Sequence, residues 1–172
     1  MSFIIINILC TYTLIKDSNI FTVLGWIKDE KYKKVIAKTR LLNVKKDRQE
    51  FKLKNLPAAT FCGSFTYKDK GNLKKSSGLA MLDYDDIDNL EELTEKINKE
   101  QYTFSSFISP SGNGLKVLVK IPPVDNDEQY KEYYHELQKY FDKYAETDKS
   151  TTDISRGTYL SSDPNLFINA ST

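Results

Sequence analysis

Residues 78–88 read Gly78-Leu79-Ala80-Met81-Leu82-Asp83-Tyr84-Asp85-Asp86-Ile87-Asp88, an apolar run that ends abruptly in carboxylates. If Leu79 to Asp85 is a strand, its side chains alternate, with Leu79, Met81, Asp83 and Asp85 on one face and Ala80, Leu82 and Tyr84 on the other. Residues two apart along a strand are roughly 6 to 7 Å apart, so Asp83 and Asp85 can converge on one divalent cation or flank a pair. Strands also end in Asp-rich turns, and Asp88-Asn89-Leu90-Glu91 has the form of a helix-capping box. Asp86 and Asp88 are therefore read as turn and cap, while the role of Asp83 and Asp85 depends on what the rest of the chain brings to them.

Upstream of this stretch, Thr60 to Tyr67 is rich in β-formers and is followed by the turn signal Asp69-Lys70-Gly71-Asn72, which predicts a hairpin with the Leu79 strand. Lys45 to Lys54 reads as a basic connector ending at Leu56-Pro57. Ile20 to Leu42 has helical spacing at Leu24, Ile27, Tyr32, Val35 and Ile36, broken near Lys28 to Glu30 into two helices. Phe3 to Cys10 is too short to span a membrane and is read as a buried strand. Downstream, Asp88 is expected to cap a helix through about Lys99. Thr103 to Ser109 and Leu115 to Ile121 read as strands joined by a Gly-rich turn, Pro110 to Gly114. Lys116 is an unusual residue to open such an apolar strand and is either exposed at an edge or aimed into a site. Glu128 to Ala145 is an amphipathic helix whose stripe of Tyr130, Tyr133, Tyr134, Leu137, Tyr140, Phe141 and Tyr144 is read as core packing. Asp148, Asp153 and Arg156 gather before a last β-like run, Thr158 to Ser161.

At 172 residues the chain suits one domain, 1–172. Two cysteines, Cys10 and Cys62, without metal-ligand spacing exclude a disulfide scaffold and a Cys-rich zinc site and make the cytoplasm the default compartment, with no membrane partner. The net charge of +1 conceals an asymmetry: residues 1–75 hold 16 Lys or Arg against 6 Asp or Glu, and residues 76–172 hold 9 against 18. Lysines that track phosphates beside carboxylates that hold cations would suit a metal-dependent enzyme acting on nucleic acid. Charge alone favours the simpler reading, in which Lys and Glu solvate helix faces. One histidine, His135, on an exposed helix face gives little support to a Ser-His-Asp triad or a His-based zinc site. An EF-hand is excluded by the missing sixth-position Gly and twelfth-position Glu counted from Asp83, and no Walker-type phosphate loop is present.

Paired aspartates after a strand, a Ser-Gly turn leading to Lys116 and a late Asp with an Arg fit phosphoryl chemistry assisted by divalent ions. In that chemistry carboxylates hold the cations, a lysine neutralises charge on a triphosphate, and turn amides can cradle phosphate oxygens.

In this order the motifs resemble those of the archaeo-eukaryotic primase superfamily. Leu82-Asp83-Tyr84-Asp85 is similar to its first motif, Ser109-Pro110-Ser111-Gly112-Asn113-Gly114-Leu115-Lys116 to its second, and Thr147-Asp148 with Asp153-Ile154-Ser155-Arg156 to its third. Within the superfamily, Leu56-Pro57-Ala58, Gly63-Ser64-Phe65, Ser77-Gly78-Leu79 and Ser162-Asp163-Pro164 stand in the order of the VirE N-terminal domain family of bacterial and mobile-element proteins. The resemblance covers about Tyr12 to Phe167, and the Ser-Pro-Ser-Gly-Asn-Gly-Leu-Lys string is its most specific part.

The resemblance implies an α/β (α+β) single domain with a central, mostly antiparallel RRM-like sheet flanked by helices. It implies a primase-polymerase-type nucleotidyltransferase that uses Mg2+ or Mn2+, nucleoside triphosphates and a DNA template and primer in a two-metal mechanism. Asp83, Asp85, Asp148 and Lys116 would be catalytic, with the three aspartates as metal ligands and Asp153 as the alternative third carboxylate. Ser109, Ser111, Gly112, Asn113, Gly114, Lys116 and Arg156 would bind nucleotide. Where the wider superfamily has His, this chain has Lys116, a fixed cation better suited to holding triphosphate than to moving a proton. The zinc module and the helicase-like region that often accompany the domain are not in this sequence, which reads as a fragment or a stand-alone core; the resemblance also implies a helicase module or replication partner. The alternative is a non-catalytic nucleic-acid-binding module of a mobile-element or replication protein.

Overall fold

A computed structural model describes residues 5–10 and 13–169. The strands divide between two four-stranded antiparallel sheets and a separate hairpin. The first sheet has the order β2(Thr13–Asn19), β1(Ile5–Cys10), β3(Ala58–Thr60), β9(Thr158–Tyr159). The second has the order β10(Phe167–Ile168), β7(Thr103–Ile108), β8(Leu115–Lys120), β6(Leu79–Tyr84). The α+β class expected from sequence holds, with all paired strands antiparallel and the single central sheet replaced by two.

The hairpin expectation needs correction. β4(Gly63–Phe65) pairs with β5(Leu73–Ser76), and the Leu79 strand pairs instead with β8, through the register Leu79↔Lys120 to Tyr84↔Leu115. All six residues of β6 are buried. Such a strand carries little alternation to reveal which face, or which partner, it will take.

Helix α1(Ile20–Lys28) starts where Asn19 accepts a hydrogen bond from Phe21 N (2.8 Å), and buries Ile20, Val23, Leu24 and Ile27. Spacings of three and four put these four on one face. The break before α2(Lys33–Leu41) falls as expected, at Glu30, whose φ of 55° leaves the right-handed helical region. The predicted connector is α3(Lys45–Asn55), a helix that buries no residue. Cations at 45, 48 and 52 and the amide at 49 follow helical spacing, so this helix presents a polar stripe rather than an apolar one. The cap of α4(Leu90–Asn98) is Asn89, one residue later than expected, accepting from Glu92 N while its amide bonds the Glu92 carboxylate. In α5(Asp127–Phe141) the tyrosine stripe is narrower than predicted: Tyr130, Tyr134 and Phe141 are buried, and Tyr133 and Tyr140 are exposed. His135 is exposed, as expected.

In the first strand Ile6, Ile8 and Leu9 are buried, whereas Phe3 and Ile4 and the Cys10 side chain lie outside what is described. Cys62 is buried with its thiol 3.2 Å from the Tyr130 hydroxyl, and burial pushes that thiol up to about 11. Such a thiol is unreactive near neutral pH. Among the described residues, no helix is long and apolar enough to cross a membrane.

Candidate active site

The end of β6 is assembled from three directions. Asp83 lies directly opposite Lys116 in the β6–β8 register, and Lys116 in turn lies opposite Phe107 of β7. Antiparallel neighbours on one face have side chains within reach, and the Lys116 ammonium sits on Asp83 Oδ2. Lys116 is therefore aimed into a site, the second of the two readings its sequence position allowed. Both side chains are sequestered, 8% exposed for Asp83 and 12% for Lys116. Burial raises the Asp83 carboxyl above its usual value, with Lys116 partly offsetting that. Asp83 Oδ1 is buried with no hydrogen-bond partner.

Beyond Tyr84 the chain turns. Asp86 adopts φ 55°, its carboxylate accepts from the Asn113 amide, and Ile87 N donates to Asn113 O at 2.9 Å. That turn exposes Asp85 at the mouth of the site. The third carboxylate comes from the segment after α5. Thr147 N and Oγ1 both bond Asp142 Oδ1 (3.0 and 2.8 Å), and Asp148 N donates to Asp83 O at 2.8 Å. Tyr134 on α5 bonds the Thr151 hydroxyl from beneath. Burial pushes the Asp148 carboxyl up, but hydrogen bonds from Ser150 N (2.9 Å) and Oγ (2.8 Å) and the charges of Arg156 and Lys116 more than reverse this, leaving it below its usual value.

Asp83, Asp85 and Asp148 thus offer ligand oxygens that all lie within 4.8 Å of one another. Asp153 is outside this group: its Oδ1 accepts from Ser155 N and Oγ, both at 2.8 Å, in a local turn. Of the two aspartates the sequence left open, Asp148 is the one that the fold brings to the pair.

Asp83 and Asp85 open onto a cleft of about 460 Å³. Ser109, Ser111, Asn113, Lys116 and Arg156 line it, as the motif reading expects. Ser109 is buried with its hydroxyl unpartnered. Arg156 donates to Ser150 O (2.9 Å) and stands 3.9 Å from Asp148 Oδ2. The two glycines do not face the cleft. Gly112, with φ 87°, packs on the Arg40 side chain, which holds Ser109 O and Ser162 O at 3.4 and 3.3 Å. At Gly114 a Cβ would lie 2.3 Å from Tyr84 O, so the residue is there to let the turn approach the end of β6. Ser109 N donates to Gly114 O and Gly112 N to Ser109 O, which engages two of the amides that a phosphate cradle would use.

The opposite wall is α3, which contributes Lys45, Arg48, Gln49, Glu50 and Lys52. Burial first, and then the charges of Lys116 and Arg48, hold the Lys52 ammonium below its usual value. These cations go unnoticed in a segment that reads as a connector; the signal for them in the sequence is the spacing of Lys45, Arg48 and Lys52 at i, i+3 and i+7.

Residues 51–167 match the family model described as BT4734-like, N-terminal domain. The chain belongs to the BT4734-like N-terminal domain family. The stretch matched to this family runs from the end of α3 to β10 and contains Asp83, Asp85, Lys116, Asp148, Arg156 and the whole Ser109–Gly114 turn. Lys45 and Arg48 precede it. No curated protein and no solved structure matches the chain.

Proposed function

We propose that the protein is a metal-dependent nucleotidyltransferase of the primase-polymerase kind, adding nucleotides to a 3′-hydroxyl on a nucleic-acid template. The observation that supports this reading is the convergence of Asp83, Asp85 and Asp148, the first two of which line a cleft whose walls also carry Lys45, Arg48, Lys52, Lys116 and Arg156. Three carboxylates form a hard, all-oxygen donor set of the type that suits Mg2+ or Mn2+, and the unpartnered Asp83 Oδ1 is an acceptor without a donor. When bound there, divalent cations would activate the attacking hydroxyl and stabilise the leaving oxygen. The chain's own part is to fix that geometry and to offset the triphosphate's charge. The backbone bond from Asp148 N to Asp83 O locks two of the carboxylates together. Lys116, Lys52 and Arg156 present cations to phosphate oxygens, and the Ser109 hydroxyl is free to donate.

The test is extension of a primed template with nucleotides and Mg2+ or Mn2+. Asp83→Ala with Asp85→Ala should abolish extension, and extension that survives the double change would sink the assignment. A second reading, a non-catalytic nucleic-acid-binding module, is favoured by the Asp83–Lys116 pair itself, since that carboxylate is already neutralised in part by the chain. It calls for salt-dependent DNA binding without detectable affinity for metal or nucleotide.

A further inference from the structure

We propose that Lys116 is a resident competitor for the cation at Asp83, so that a divalent cation and a phosphate-bearing ligand bind this site in a coupled way. The inference rests on the metal-dependent reading and concerns how the site is loaded.

The position of Lys116 is fixed by the sheet. Strand β8 is hydrogen-bonded on both sides, to β6 and to β7, so the Lys116 backbone cannot withdraw and only side-chain torsions can take its ammonium off Asp83. In the structure that ammonium occupies Oδ2 of a carboxylate whose Oδ1 has no partner. A divalent cation entering between Asp83, Asp85 and Asp148 meets the lysine charge at contact range in a sequestered place, where repulsion between like charges is far less screened than in water. The cation therefore either displaces Lys116 or binds against it.

Displaced, the lysine needs another anion, because a largely buried ammonium is costly without one. The cleft's own carboxylates serve poorly. Asp85 belongs to the same cation site, and Asp86 is engaged by Asn113. That leaves Glu50, in the company of Lys45, Arg48 and Lys52 on the same helix. A phosphate group arriving in the cleft supplies the missing partner and is itself attracted by those cations. Cation and phosphate each relieve the cost of binding the other, and by linkage the gain is equal in both directions.

The experiment measures Mn2+ binding to the full chain by calorimetry, for the wild type and for Lys116→Gln, without nucleotide. With the competitor removed, Lys116→Gln should bind Mn2+ at least about tenfold more tightly than the wild type. Inorganic tripolyphosphate at fixed free Mn2+ should bind the wild type more tightly than in the absence of metal. In a measurement that needs no variant, the 15N signal of the Lys116 ammonium in the wild type should shift when Mg2+ and tripolyphosphate are added together. Equal Mn2+ affinity in a folded Lys116→Gln protein, or a Lys116 signal unchanged at saturating Mg2+ and tripolyphosphate, overturns the proposal while leaving the metal site standing. Failure of both proteins to bind Mn2+ at millimolar concentration removes the metal site and this inference with it.

Discussion

Each of the two sheets buries a polar cluster, and the two clusters are finished differently. On the first sheet Asn7 is 2% exposed and fully engaged: its amide donates to Asp17 Oδ1 (2.7 Å), its carbonyl oxygen accepts from Phe65 N, and its backbone N donates to Thr60 Oγ1 (3.2 Å). Thr60 passes the chain on to Gly63 O at 2.8 Å, which ties β1, β3 and β4 into one unit. On the second sheet Asp83, and just past the end of β7 Ser109, are also buried, yet Asp83 Oδ1 and Ser109 Oγ have no partner. A satisfied buried network specifies architecture, whereas an incomplete one is a cost that a fold keeps only where something else uses it. The first cluster therefore reads as structure and the second as a place prepared for a ligand.

Stability measurements can break that contrast. Asn7→Ala strips a buried Phe65 N–H of its acceptor and should cost about 3 kcal/mol in urea denaturation. Asp83→Leu with Lys116→Met removes a buried ion pair and an unpartnered oxygen together, and should leave stability unchanged or raise it by up to about 2 kcal/mol while eliminating metal binding. If the double variant loses as much as Asn7→Ala does, both clusters are architectural. A smaller effect is expected at the joint between turn and strand. Gly114→Ala forces a Cβ against Tyr84 O and should cost about 2 kcal/mol, and metal affinity should fall with it because Asp85 follows Tyr84 directly.

The smallest effect sharpens the comparison with a satisfied charged network that does not line the cleft. Glu100 accepts from Tyr140 OH (2.8 Å), Tyr144 OH and Lys143 Nζ (2.9 Å). Burial raises its carboxyl, but those three donors outweigh it and hold the group below its usual 4.5. A carboxyl lowered in the folded state stabilises above its unfolded value, and that contribution is lost as pH falls through the folded one. Glu100→Gln should therefore cost about 1 kcal/mol at pH 7, and its deficit against the wild type should close as the pH drops below 4.5.

How much of this was legible in the sequence depended on whether the signal was local. The helices that bury an apolar stripe, the strand that carries Asp83 and the break at Glu30 all announce themselves through spacing. The partner of the Leu79 strand does not, because β6 and β8 are joined across thirty residues and β6 is buried on both faces, so neither turn chemistry nor alternation points to the pairing. The same gap hides the most informative contact: Asp83 and Lys116 each stand out in the sequence, yet only the register shows them opposite one another. Helix α3 was missed because it buries nothing, leaving polar spacing as its only mark. At the cap of α4, Asp88 and Asn89 are both good cappers, and sequence alone does not separate adjacent candidates.

The central claim, that the unfinished cluster is a metal and nucleotide site, is tested most directly by a crystal structure with Mn2+ and a non-hydrolysable nucleoside triphosphate, using manganese anomalous scattering. The account predicts an anomalous peak among Asp83, Asp85 and Asp148, with the Lys116 ammonium turned from Asp83 to a phosphate oxygen. An absent peak at saturating Mn2+ and nucleotide, with the Asp83–Lys116 pair intact, would contradict it.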